Sequence, residues 1–349
     1  MIRQPCITKL TEIHGILTYL KVVGIAMKSI ENLIDCVETD FLLLNRLIEE
    51  QLGSEVNLVT DVSQYLLNSG GKRIRPLLTI LVAKALKTDN LDHLPLAGAI
   101  ECLHTATLLH DDVVDRSSMR RNNPSANAKF GNGASVLVGD FVYSRAFQLM
   151  VSVKKLDALK LLADATNQIS EGEVWQLSNQ NRGDLSEEEY SQVIRKKTAV
   201  LFGAAAATGA IAANAGELAI QGMYSYGEHV GIAFQLMDDW LDYLGETDLM
   251  GKERGDDLAD GKCTLPLIYA IKELNDEESI FLANTLRERK REFLGKVSCL
   301  IKKAGGFEYT KKRAEQESNR AKFFLKDLPK SKYRDALIDL AGIAGERKR

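Results

Sequence analysis

Proline is scarce in this chain: there are six in 349 residues, and only Pro266 and Pro329 lie beyond Pro124. From Ser125 to Leu265 there is none. A proline costs about 3 kcal/mol inside a helix, so a long proline-free stretch rich in Ala, Leu, Glu and Lys suits stacked helices. Cysteine is sparse as well. The five cysteines, Cys6, Cys36, Cys102, Cys263 and Cys299, are scattered, odd in number and form no CxxC pair, which argues against a disulfide framework or a zinc site and makes a reducing cytoplasm the default. Charge of one sign is missing: 45 Lys+Arg against 48 Asp+Glu leave a net −3, so nothing global points to nucleic acid as a partner. Long apolar runs are missing too. The most membrane-like segment, Ile13 to Ile30, contains His14, Lys21 and Lys28, falls short of a roughly 20-residue span and lacks a signal-peptide cleavage site. Neither a P-loop nor a Rossmann glycine pattern is present.

What remains is ordinary globular usage, 45% hydrophobic and 27% charged, which excludes disorder and collagen-like architecture. Apolar residues recur at helical spacing, as in Phe41, Leu44, Ile48 and Leu52 or Leu78, Leu81, Val82 and Leu86, while strand-like alternation is rare. The expectation is an all-α chain. Length alone favours about two domains at roughly 150 residues each. Breaks at Ser69-Gly70-Gly71, Asn122-Asn123-Pro124, Asn179 to Asp184, Gly245 to Thr264 and Gly305-Gly306 resemble turns and not linkers, so one continuous helical domain over 27–349 is expected. Met27 is as plausible a start as Met1, which leaves residues 1–26 as an extension of doubtful function. Ala204 to Ala213 reads as a buried helix approached closely by other backbones.

One internal echo carries chemistry. Ala106 to Asp115 and Ala233 to Asp242 share the pattern A-x-x-L-x-D-D-x-x-D, each placing acids at the end of an apolar helical run. Asp111 and Asp115, like Asp238 and Asp242, are four residues apart and so project from one helix face. Carboxylates so placed repel one another unless a cation lies between them, and an all-oxygen site suits Mg²⁺. A single DDxxD reads equally as a solvated helix end. Two copies, with Asp112 and Asp239 completing them, favour metal, because burying six acids without counter-charge costs several kcal/mol per ion. A third match, Asp256-Asp257-Leu-Ala-Asp260, is bracketed by glycines and reads as a polar loop.

Cations then suggest the ligand. In Gly70-Gly71-Lys72-Arg73-Ile74-Arg75-Pro76, a turn feeds a helix in which Pro76 suits the first position and Arg75 is pushed out of the helical region, placing Lys72 and Arg75 beside free N–H groups. Arg120-Arg121, Lys196-Lys197-Thr198, Lys252 and Lys262 add further donors, and His104, seven residues before Asp111, is either a core histidine or a phosphate ligand. Paired acids that hold Mg²⁺ and bases that hold phosphate fit a diphosphate.

The segments GGKRIRP, ECLHTATLLHDDVVDRSSMRR, LVGDF, KKTAVLF, FQLMDDWLD and GKERGDDLADGKCTLP resemble the trans-isoprenyl diphosphate synthases, in matching order and spacing from about Ile30 onward. That resemblance implies a single large helical bundle around a central elongated cavity, usually a homodimer, extending an allylic diphosphate with isopentenyl diphosphate using Mg²⁺. It implies that Lys72, Arg75, His104 and Arg121 bind isopentenyl diphosphate and that Arg120, Lys197, Thr198 and Gln235 bind the allylic diphosphate. Asp111, Asp112, Asp115, Asp238, Asp239 and Asp242 would hold Mg²⁺, and Lys252 and Lys262 would close over the allylic diphosphate. Cys263 departs from the proline common in related long-chain enzymes.

The same resemblance implies ionisation of the allylic C–O bond, attack by the isopentenyl double bond and loss of a proton, with no protein nucleophile. Ala106 and Thr107, one turn before Asp111, are small where family members that stop early usually carry aromatics. DDVVD also lacks the two-residue insertion typical of bacterial farnesyl enzymes. Phe147 and Met150 are either the floor of the tail channel or ordinary core. The motifs are nearest those of the bacterial family members that build octaprenyl chains for quinones from farnesyl diphosphate. Geranylgeranyl- or solanesyl-type synthesis, or a non-catalytic subunit of a heteromeric synthase, are the alternatives.

Overall fold

The computed structural model describes residues 30–244 and 254–345. After helical residues 30–35, the chain forms α1 (Glu38–Leu52), α2 (Asn57–Asn68), α3 (Ile74–Ala85) and α4 (His93–Val114). A two-stranded hairpin, β1 (Met119–Arg120) and β2 (Asn123–Pro124), leads to α5 (Ala126–Phe130), α6 (Asn132–Ser152) and α7 (Leu156–Ser178). Next come α8 (Glu187–Ile194), a π-helical turn over Arg195–Ala199, α9 (Val200–Ala212) and α10 (Glu217–Leu244). The C-terminal part holds α11 (Asp256–Ala259), α12 (Leu265–Glu273), α13 (Asp276–Arg287), α14 (Leu294–Ala304), α15 (Gly306–Phe323) and α16 (Lys332–Gly345). No described helix is long and apolar enough to cross a membrane. The extension at 1–26 lies outside the described residues.

The alanine-rich segment behaves as its composition demands. Every residue of α9 is buried, because a helix apolar all round has no face for water. It packs against α3, α4, α7 and α10. Small residues set the spacing: a Cβ on Gly209 would lie 2.4 Å from the Thr79 carbonyl oxygen, and one on Gly227 of α10 would lie 2.2 Å from that of Phe202. Thr79 Oγ1 adds a hydrogen bond to the Ala205 carbonyl at 2.9 Å.

Two apolar clusters share α10. Its first half contributes Met223, Tyr226 and Val230 to a cluster built mainly from α1, α3, α4, α6, α7 and α9. Its second half contributes Leu236, Met237 and Tyr243 to a cluster from α8 and α12 to α15. One helix common to both cores makes a single domain, as the absence of linkers predicts.

Local signals explain several boundaries. Ser186 and Glu189 form a reciprocal capping box at the start of α8, and Gly305, at φ 81°, ends α14 in the left-handed region. The break foreseen at 122–124 is a strand pair with Arg121 (φ 50°) and Asn122 (φ 64°) as its two turn residues. Positive φ at both positions matches the right-handed strand twist.

Two expectations change. Helix α3 starts at Ile74, with Arg73 left-handed at φ 44°, so Arg75 is helical and Pro76 occupies the third position. A proline anywhere in the first turn removes an N–H that has no helical acceptor, and burying Ile74 and Leu77 outweighs the steric bias at Arg75. Asp256–Ala259 forms the helical turn α11, not an open loop.

Candidate active site

The C-terminal turn of α4 carries Asp111 and Asp112, Asp115 is the residue that caps it, and the hairpin that follows carries Arg120 and Arg121. Asp112 is 1% exposed and takes Arg120 bidentately, with Nη2 at 2.6 Å and Nε at 2.9 Å. Asp111 faces Lys197 and Glu173. Burial, opposed by Lys197 and Arg120 and aided by Glu173 and Asp115, pushes its carboxyl up to about 7. Asp115 accepts a hydrogen bond from Lys262 Nζ at 2.8 Å.

The second motif ends α10. Asp239 is buried, accepting hydrogen bonds from Gln235 Nε2 at 2.7 Å and from the Tyr190 hydroxyl. Gln235 Oε1 accepts in turn from Thr198 Oγ1 at 2.9 Å. Burial and the neighbouring Asp257 raise Asp239 well above the usual carboxylate range. Asp242, also buried, accepts the Asp257 backbone N–H at 3.2 Å. Asp238 is half-buried beside Arg75.

Lys197 and Thr198 belong to the π-helical turn, a distortion frequent at functional sites. Gly172 of α7 permits the approach, since a Cβ there would lie 2.8 Å from the Lys197 backbone nitrogen. Lys197 Nζ donates to Glu173 Oε2 at 2.6 Å and to Gln176 Oε1 at 2.7 Å. A cavity of about 110 Å³ opens here, its wall including Tyr190, Lys197, Thr198, Gln235, Asp239, Asp257, Lys262 and Cys263. Burial pushes the Cys263 thiol up to about 12, so it is a neutral part of that wall.

A second cationic group lies at the start of α3. Arg75 Nη1 is 3.0 Å from His104 Nε2, and its guanidinium stacks 4.4 Å above the Phe202 ring. Burial, with Arg75, Arg121 and Arg120 around it, holds His104 well below its ordinary range, so the ring is neutral. Arg121 packs its guanidinium where a Cβ on Gly71 would otherwise sit, 2.8 Å from Nη1. Arg75 is lowered to about 10 by burial, with Glu101 and Asp238 opposing.

Thus the structure gathers Arg75, His104 and Arg121 in one cluster and Lys197, Thr198, Gln235 and Lys262 around one cavity, with Arg120 between them. Lys252 lies outside the described residues. Ala106 and Met150 are both 0% exposed in the larger core, and Phe147 packs against that core with its ring 5.3 Å from Tyr143. Thr107 Oγ1 donates to the His104 carbonyl. None of these four lines the cavity described above.

Sequence reading did not single out Glu101, Glu173, Gln176 or Tyr190, and it took Asp257 for part of a polar loop. Glu101, one turn before His104, is the half-buried acid facing Arg73, Arg75 and Arg121. Glu173 and Gln176 share a helix face, a signal visible only once Lys197 is known to lie opposite. Among the described residues, no group of three or more potential ligands is close enough to hold a metal ion. The donors nevertheless fit Mg²⁺ in kind. All are carboxylate oxygens, and Asp111, Asp115 and Asp238 are half-buried at the cavity end of their helices, whereas Asp112, Asp239 and Asp242 are buried and bonded within the protein.

Residues 56–303 match the model of the polyprenyl synthetase family. The chain belongs to this family. Among polyprenyl synthetases it is 44% identical over 322 residues to octaprenyl diphosphate synthase of Escherichia coli (strain K12), covering 92% of this chain and 100% of that one. It is 42% identical to the geranyl-diphosphate-specific all-trans-nonaprenyl-diphosphate synthase of Rhodobacter capsulatus, covering 89% and 96%. The crystal structure of a polyprenyl synthase from Caulobacter crescentus CB15, complexed with calcium and isoprenyl diphosphate, superposes with a TM-score of 0.88 at 40% identity, covering 91% of this chain and 98% of that one.

Proposed function

We propose that this polyprenyl synthetase is a long-chain, all-trans, Mg²⁺-dependent prenyltransferase that adds isopentenyl diphosphate repeatedly to farnesyl diphosphate, ending at octaprenyl diphosphate for quinone side chains. The observation that carries the reading is the pairing of two groups of phosphate-binding side chains, the cations Arg75 and Arg121 with neutral His104 on one side and the cations Lys197 and Lys262 with Thr198 and Gln235 on the other, with an aspartate motif beside each. Two diphosphates need two such groups.

In this reading Lys197, Lys262 and Arg120 hold the allylic diphosphate, and their charges favour departure of the leaving group as negative charge develops on it. Arg75, Arg121 and Lys72 orient isopentenyl diphosphate so that its double bond faces the allylic carbon. Neutral His104 donates to phosphate oxygen without adding charge. Asp111, Asp115 and Asp238 would hold Mg²⁺, which when bound neutralises diphosphate charge. Asp112, Asp239 and Asp242 position Arg120, Gln235 and the 257 turn. Lys252 is assigned to the allylic diphosphate by its motif alone.

Similarity to octaprenyl and nonaprenyl enzymes supports a long product, as do small Ala106 and Thr107, one turn before Asp111, where family members that stop early usually carry aromatics. A homodimer acting in the cytoplasm belongs to the same reading. It is supported by the exposed apolar side chains Leu137 (69%) and Val151 (59%) of α6, and by the free thiols among the described residues. Retention of both aspartate motifs disfavours a non-catalytic subunit.

The test is to incubate the purified chain with Mg²⁺, farnesyl diphosphate and labelled isopentenyl diphosphate and to chromatograph the products. A ladder ending at eight isoprene units is expected; no condensation overturns the enzyme reading, and a much shorter or longer end point overturns the octaprenyl assignment. In the same assay Ala106→Phe shortens the product while the first condensation persists, at a cost of about 1–3 kcal/mol in stability for overpacking a buried site.

A further inference from the structure

Lys262 lies where the two halves of the site meet. Its ammonium is 2.8 Å from Asp115, at the end of α4, and 2.8 Å from Asp260, two residues away on its own segment. The three side chains are 13%, 19% and 29% exposed, so solvent screens this contact only partly. Burial works to lower the Lys262 pKa, but Asp115, Asp260 and Asp257 outweigh it, and the group stays charged. The ammonium and a divalent cation therefore compete for the same Asp115 oxygens. Asp260 answers to neither aspartate pair, yet it holds the lysine that forms part of the cavity wall.

We propose that Lys262 is an internal counter-ion of the first aspartate motif, displaced from Asp115 by a divalent cation as a diphosphate takes over its ammonium, and that Asp260 is the positioning residue that keeps Lys262 over the cavity through this exchange. The inference rests on the reading that this motif takes Mg²⁺ and a diphosphate. Because Asp115 and Asp260 hold the ammonium from different elements, losing Asp115 to a cation leaves it anchored on its own segment. A change of side-chain rotamer then suffices to aim it at the diphosphate. Metal and diphosphate each remove an obstacle to the other, which makes their binding mutually reinforcing.

The experiment is calorimetric titration of the full chain with MgCl₂, with and without inorganic pyrophosphate. Lys262→Met removes the charge and keeps the bulk. Its expected signature has two signs: about tenfold tighter Mg²⁺ binding without pyrophosphate, and weaker binding of Mg²⁺ and pyrophosphate together. Lys262→Gln serves if the methionine variant fails to fold. A merely structural lysine would weaken both. Asp260→Asn is expected to weaken pyrophosphate binding at saturating Mg²⁺, with Asp260→Glu restoring it. Folded Lys262 variants that bind Mg²⁺ alone no tighter than the parent chain overturn the proposal. A parent chain that takes up no Mg²⁺ even with pyrophosphate overturns the metal-site reading, and this inference with it.

Discussion

Tyr190 is 4% exposed and directs its hydroxyl at Asp239, whose other oxygen is held by Gln235. A buried carboxylate needs such donors, and removing one leaves the acceptor desolvated without its partner. Tyr190→Phe is therefore expected to lower stability by about 1–3 kcal/mol, read from denaturant unfolding. A loss of only a few tenths would mean that water replaces the hydroxyl. The same pattern sorts the six motif acids. Their residue types and spacing were legible from sequence, but the division between buried Asp112, Asp239 and Asp242 and half-buried Asp111, Asp115 and Asp238 was not. That division depends on donors that other elements bring up, such as Tyr190 on α8 and the Asp257 N–H in α11. Glu101 escaped notice for the same reason: its meaning comes from Arg73, Arg75 and Arg121, which only the fold brings to it.

Helix α10 offers a comparison within one element. Gly227 faces α9 so closely that a Cβ would overlap the Phe202 carbonyl oxygen, whereas Gly222, earlier in the same helix, has nothing within 4 Å of its Cβ position. The same substitution should act with opposite signs. Gly227→Ala is expected to destabilise the protein by about 1–3 kcal/mol, because backbone cannot move aside as a side chain can. Gly222→Ala is expected to stabilise it by about 0.5–1 kcal/mol through helix propensity. Thermal or urea melts of the two variants check both, and equal shifts would show that α9 and α10 separate readily. At this scale the sequence was informative. Periodicity, the proline-free stretch and the alanine run foretold helices and a buried α9. The hairpin at Met119–Pro124 was legible only as a break, because two-residue strands are too short for any alternation to register. The start of α3 was misplaced by two residues because burial of Ile74 outweighed the local preference before Pro76.

For the whole molecule, α10 joins the two apolar clusters, while α1 is attached at the edge of the larger one. A buried polar contact helps to hold it: Asp40 of α1 takes His93 Nε2 at 3.0 Å and Lys84 Nζ at 2.9 Å, tying α1 to α4 and α3. His93 is 0% exposed. Burial lowers its pKa below 6.5, the Asp40 hydrogen bond and charge oppose the shift, and Lys84 adds to it. The folded state thus disfavours the imidazolium relative to the unfolded chain. The resulting stability is fully present above the unfolded pKa of about 6.5 and is lost as pH falls towards the lower folded value, with a slope of at most about 1.4 kcal/mol per pH unit from this one group. Unfolding free energy measured between pH 7.5 and 5 should therefore decline more steeply in the parent chain than in His93→Gln, which has no proton to gain. The comparison concerns slopes, since the glutamine variant starts lower for having lost packing. Parallel slopes would mean that His93 is protonated to the same extent in both states and that acid loosens the molecule elsewhere.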